Sequence, residues 1–134
     1  MRKNSIAAIG ALLAVLVAAG VGAAAKPSSN LNLVVVGSTG AAAATQPTYG
    51  GQITFNVSTT ETSQPQVNVR CYQSGIFVYD AWRGFWSTYY TNPVFTLSSG
   101  YWTGGAADCT ARLVAFDKQG REQTLASMDF HVNA

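Results

Sequence analysis

Nucleophilic hydrolysis needs a base beside a serine or cysteine, and the chain has one histidine, His131. It follows Asp129 by two positions, so in an extended segment both side chains share a face, opposite to Met128 and Phe130. That face is expected to meet solvent, which makes His131 a surface residue rather than a catalytic base. Glycosidic cleavage needs two carboxylates across a cleft, and Glu61, Asp80, Asp108, Asp117, Glu122 and Asp129 fall mostly at expected turns or strand ends. Turn formation accounts for them without a reaction. The sequence has no phosphate-cradling glycine loop and no aspartate-rich calcium loop. The expectation is a protein that is not an enzyme and uses no cofactor and no metal.

The two cysteines, Cys71 and Cys109, are the next reactive groups. In an oxidising compartment they have only each other to pair with, so one disulfide is expected. Two free buried thiols and half of a zinc site are the alternatives. Zinc takes four ligands, and His131 with two cysteines falls short unless carboxylates complete the set.

Rings are the one unusual concentration. Phe77, Tyr79, Trp82, Phe85, Trp86, Tyr89, Tyr90, Phe95, Tyr101 and Trp102 all fall between positions 77 and 102. Phe77 or Tyr79, together with Phe95 and Trp102, are expected in the core, with Trp102 beside the disulfide. Trp82, Arg83, Phe85, Trp86, Tyr89 and Tyr90 lie in a stretch with Gly84 and Asn92-Pro93 that reads as loop. Rigid rings with an arginine among them are the composition of a binding hot spot, and stacking on sugars would use the same side chains. A small satellite core beneath a long loop is the other reading.

The elements that must hold these groups come from apolar periodicity. Residues 52–59 alternate, with Ile53, Phe55 and Val57 on one face and Thr54, Asn56 and Ser58 on the other. The pattern returns at 67–72, where Val67, Val69 and Cys71 share a face, and at 109–116, where Cys109, Ala111, Leu113 and Ala115 do. It appears again at 122–132, with Thr124, Ala126, Met128, Phe130 and Val132 in register. Shorter runs at 31–36, 76–82 and 94–98 complete about seven strand candidates. Residues 37–51, rich in Gly and Ala, read as a connecting loop with little to pack. Both cysteines share the inward parity. In an immunoglobulin-like order the third and sixth strands are neighbours in one sheet, so the bridge is expected to run across strands and pin their register.

Export is expected from the first 25 residues. Arg2 and Lys3 precede an apolar run, and Ala23-Ala24-Ala25 supplies a small-residue cleavage site. An uncleaved anchor is the alternative, because positions 4–25 are uncharged and a membrane span needs about 20 residues. The chain carries eight Lys/Arg against six Asp/Glu, a net charge of +2, and Arg2 and Lys3 supply that excess. The exported part is formally neutral, which removes the basic footprint that nucleic-acid binding requires. The domain reading is a signal peptide at 1–25, a leader and linker with a candidate first strand at 26–46, and a β-sandwich domain at 47–134.

The stretch from Pro47 through Thr48-Tyr49-Gly50-Gly51-Gln52-Ile53-Thr54-Phe55-Asn56 to Val57, then Cys71-Tyr72-Gln73, then Trp102-Thr103-Gly104-Gly105-Ala106-Ala107-Asp108-Cys109-Thr110-Ala111, resembles a group of bacterial secreted immunoglobulin-like domains. That group is actinobacterial and phage-associated. The resemblance covers residues 47–132 and implies an all-β, immunoglobulin-like antiparallel sandwich and export, with no catalytic residues. Together the observations lead to a secreted, extracellular, non-enzymatic domain that binds another protein through Trp82, Arg83, Phe85, Trp86, Tyr89 and Tyr90. The alternative is a carbohydrate-binding module stacking cell-surface glycan on Trp82, Trp86 and Tyr89. Membrane contact is expected only through the signal segment, if it is not cleaved.

Overall fold

The structure, a computed structural model, describes residues 28–37, 46–86 and 93–134. The expected signal segment, part of the expected leader, and Tyr89 and Tyr90 lie outside the described residues. Seven strands follow in chain order: β1 (Ser29–Val35), β2 (Gln52–Thr59), β3 (Gln66–Gln73), β4 (Ile76–Gly84), β5 (Phe95–Thr96), β6 (Ala107–Phe116) and β7 (Glu122–Val132). They form two antiparallel sheets, ordered β1-β2-β5 and β4-β3-β6-β7. No helix occurs among the described residues.

Alternation decides which face each strand buries. Ile53 and Phe55 of one sheet meet Val67, Val69, Ala111 and Leu113 of the other in a single core, closed by Phe95, Leu97 and Trp102. Phe55 bridges the layers, with its ring 5.7 Å from Phe95 and 6.5 Å from Phe130. Cys71 and Cys109 are direct register partners on β3 and β6, bonded to each other with α-carbons 4.0 Å apart. The bridge is therefore a cross-strand link inside one sheet, and neither cysteine is a free thiol or a zinc ligand.

Two bulges break the simple parity. Between Cys71/Tyr72 and their partners Tyr79/Phe77, β4 carries Val78 as an extra residue, so Val78 and Tyr79 are both buried. Between Leu113/Val114 and Ala126/Thr124, β7 carries Leu125 as the extra residue. Leu125 turns toward the core and Thr124 is exposed, against the expectation that Thr124 continues the inward register.

The stretch expected to be a packless connection is also different at its end. Pro47 is fully buried, and the Tyr49 ring lies 5.4 Å from Trp102 with its hydroxyl donating to the Trp102 carbonyl at 3.0 Å. The Asn133 N–H donates to the Pro47 carbonyl, and the Tyr49 N–H donates to the Asn133 carbonyl. Gly50 and Gly51 exchange backbone bonds with Leu97. Residues 47–51 thus clasp the end of β7 to the strand-end beside β5, joining the two sheets. Glycines and a proline make a stretch look unpacked, but the buried Pro47 and the half-buried Tyr49 ring are enough to fix it.

The β6–β7 turn is built on Asp117. Its carboxylate accepts the N–H groups of Gln119 and Arg121 at 2.9 Å each and the Arg121 guanidinium at 2.6 Å. Gly120 takes the left-handed conformation, φ 76°, that closes the turn. The Arg121 backbone N–H, then its guanidinium and the Gln119 N–H, hold the Asp117 carboxyl below its ordinary value. A carboxylate with a lowered folded-state pKa supports the fold above its unfolded value and loses that support as pH falls through the folded one. Amide exchange at Gln119 and Arg121 is accordingly expected to be slow at neutral pH and to lose protection on acidification. Asp117→Asn should remove that pH dependence, which exchange measured by NMR would check.

Candidate functional site

The strand β4 continues to Gly84, so Trp82 and Arg83 are strand residues paired with Asn68 and Val67, not the start of a loop. The misreading has a local cause: Gly84 looks like a breaker, yet it pairs with Gln66. Strand alternation then sends Trp82 and Arg83 to opposite faces.

Trp82 lies on the outer face of the four-stranded sheet. Its ring is 5.9 Å from that of Phe116, and the Arg112 guanidinium sits 5.8 Å from its centroid. Beneath them Asn68 is fully buried although it occupies an outward position. Its amide donates to the Asp80 carboxylate at 2.6 Å and the Ala81 carbonyl at 3.2 Å, and its carbonyl accepts from Arg112 at 3.1 Å. Arg112 also pairs with Glu122 at 3.2 Å. Both ends of the Asn68 amide are thus committed, as burial requires, whereas the buried Nε of Arg70, 3.6 Å from the Asp80 carboxylate, makes no hydrogen bond.

Arg83 turns the other way. Its guanidinium lies 5.4 Å from the centre of the Phe95 ring and donates to the carbonyls of Val94 and Trp82. It therefore seals the edge of the core. On the same parity Tyr79 is buried, and that burial pushes its phenol above the ordinary value against the opposing charge of Arg83, with Asp80 adding to the rise. Phe85 also belongs to the structural set, packed against the core with its N–H donating to the Pro65 carbonyl at 2.9 Å.

Trp86 is 43% exposed, and its six-membered ring lies against the α-carbon of Gly84 so closely that a β-carbon there would run into it. Trp82, Arg83, Gly84, Trp86 and Pro93 line a groove of about 420 Å³. Of the six expected binding residues, Trp82, Arg83 and Trp86 come together here, Phe85 does not, and Tyr89 and Tyr90 lie outside the described residues. Phe116, Arg112 and Asn68 support the site and were not singled out from the sequence. One signal was present: Val114 and Phe116 are apolar on the parity where Thr110 and Arg112 are polar.

The groups with chemical potential lie elsewhere. His131 is exposed and pairs through Nδ1 with the Asp108 carboxylate at 2.8 Å, while Thr110 donates to Asp129 at 2.7 Å. Glu61 and Asp117 lie between strands and Asp108 and Glu122 at strand ends, as expected for most of the acids, while Asp80 and Asp129 sit inside strands. No group of three His, Cys, Asp or Glu side chains among the described residues is arranged to hold a metal ion.

No protein-family model, curated protein or solved structure matches the chain. The functional reading therefore rests on the residues themselves.

Proposed function

We propose that this is a secreted immunoglobulin-like domain without catalytic activity, which binds another extracellular protein through the groove between Trp82 and Trp86. The observation that carries the reading is a concave, largely apolar groove whose indole walls are fixed before any ligand arrives. Trp82 is held by Phe116 and the Arg112 network, and Trp86 by its seat on Gly84. Fixed rings lose little freedom on binding, which is what an anchor in a protein interface needs. The immunoglobulin-like assignment is supported by strand order, since β2 neighbours β5 while β3, β6 and β7 adjoin in the other sheet. Its departure is β4, which joins β3 instead of the first sheet. The disulfide suits an oxidising compartment, in keeping with export, and the resemblance to bacterial secreted domains fits the same picture.

A second reading, glycan stacking, is favoured by one feature: the Trp86 ring is seated on one side and partly open to solvent. A single experiment separates the two. The immobilised chain is offered the extracellular proteins of its own culture and, separately, an array of glycans. A saturable protein ligand is expected, with affinity reduced at least about tenfold in Trp86→Ala. Gly84→Ala is expected to act in the same direction, because the new methyl unseats the indole without removing it. Glycan binding lost in Trp86→Ala, with no protein ligand, would establish the second reading. Binding indifferent to both substitutions would overturn both.

A further inference from the structure

The hydrogen bonds that the walls of the Trp82–Trp86 groove can make are all of one kind. The groove is lined by Trp82, Arg83, Gly84, Trp86 and Pro93, and none of their side chains carries an acceptor atom. Indole and guanidinium N–H groups only donate. Arg83 commits Nε to the Val94 carbonyl at 3.1 Å and Nη1 to the Trp82 carbonyl at 2.8 Å. Its remaining nitrogen, Nη2, makes no hydrogen bond among the described residues, and neither does the indole nitrogen of Trp82 or of Trp86. That of Trp82 is also not buried.

The surroundings do not supply the missing acceptors. The carbonyls of Trp82 and Val94 already accept from Arg83, and the Pro93 carbonyl accepts the Thr54 hydroxyl at 2.6 Å. Asp80 and Glu122, the carboxylates of the Trp82 patch, do not line the groove and are engaged by Asn68 and Arg112. A cleft of apolar walls and unmet donors takes a ligand that brings acceptors and apolar faces but few donors of its own.

Few peptide or sugar shapes meet that demand. An α-helix uses its carbonyls internally, an extended strand brings N–H groups that need acceptors, and every sugar hydroxyl brings a donor with its acceptor. A polyproline II segment has no internal hydrogen bonds, so its carbonyls are open, and proline removes the N–H while adding an apolar ring. One pyrrolidine ring, that of Pro93, already forms part of the groove wall. We infer that the groove captures a proline-rich segment of its partner in the polyproline II conformation, with pyrrolidine rings against Trp82 and Trp86 and backbone carbonyls accepting from the two indoles and Arg83. This rests on the protein-binding reading proposed above and names the class of partner. Such a segment is extended before it binds, so its capture orders little that was free.

The test is an NMR titration of the isotopically labelled full chain with decaproline, with a Gly/Ser decapeptide and with chitohexaose. Decaproline is expected to shift the indole N–H signals of Trp82 and Trp86 while that of Trp102, committed to the Gly105 carbonyl, stays in place. The Gly/Ser peptide should move none of them. Trp86→Phe keeps an aromatic wall and removes a donor, so decaproline affinity should fall about two- to tenfold, with an unmoved Trp102 signal verifying the fold. Equal response to both peptides, or undiminished affinity in Trp86→Phe, would overturn the inference. Silence toward decaproline from a chain that still binds a culture protein through Trp86 would overturn it and leave the protein-binding reading intact. A response to chitohexaose alone, or to neither decaproline nor any culture protein, would overturn both.

Discussion

Removing the Cys71–Cys109 bridge is expected to lower the unfolding free energy by about 4 kcal/mol, the chain-entropy value for a loop closed over a separation of 38 residues. Domains of ordinary size are stable by about 5–15 kcal/mol, so the loss should leave the fold marginal. The bridge joins direct register partners at the centre of the four-stranded sheet, where β3 and β6 already share a seven-residue ladder from Gln66 to Tyr72. Its main effect therefore falls on the unfolded chain, which without it regains the freedom of the intervening loop. Urea unfolding of Cys71→Val/Cys109→Val tests this with the buried volume largely kept, and Cys71→Ala/Cys109→Ala adds the cost of two small voids. A valine pair within about 1 kcal/mol of wild type would mean that the unfolded chain is already compact in this region.

Trp102→Ala is expected to cost about 3–5 kcal/mol, the range for removing a large ring from a packed interior. Trp102 is the largest fully buried side chain. It touches Tyr49 at 5.4 Å and Tyr79 at 6.0 Å between ring centroids, and its indole N–H satisfies the Gly105 carbonyl. The substitution thus empties the space between the clasp at residues 47–51 and β4, and releases the loop at 98–106. Trp102→Phe retains most of the apolar contact and loses the indole donor, so it should cost less, about 1–3 kcal/mol. Denaturation midpoints with near-ultraviolet dichroism would measure both. Equal losses for alanine and phenylalanine would show that the hydrogen bond, rather than the packed volume, holds the loop.

What could be read from the residues followed how far a strand obeys strict alternation. Strand β2 starts and stops where apolar and polar positions stop trading places, and the shared parity of Cys71 and Cys109, taken with an immunoglobulin-like strand order, placed the bridge across neighbouring strands. Bulges were not legible. Val78 lies between Phe77 and Tyr79, and Leu125 lies between Thr124 and Ala126, either of which fits an inward position, so no change of hydrophobicity marks the slip. The groove was half legible. Composition pointed to Trp82 and Trp86, but the turn of Arg83 toward Phe95 depends on β4 running on to Gly84, and the burial of Asn68 depends on Arg112 and Asp80 from two other strands. Those are contacts between residues far apart in the chain, to which local patterning is blind.

The clasp at residues 47–51 has a consequence for how the molecule comes into being. Pro47 and Tyr49 leave the ribosome long before Asn133, their backbone partner, at synthesis speeds of about 5–20 residues per second. For that interval the inner side of β2 has no β7 to finish its enclosure, and Ile53 and Phe55 stay within reach of chaperones and proteases. A chain that stops short of Asn133 lacks the backbone partner of Pro47 and Tyr49, so degradation can sort closed molecules from open ones by whether that one asparagine is present.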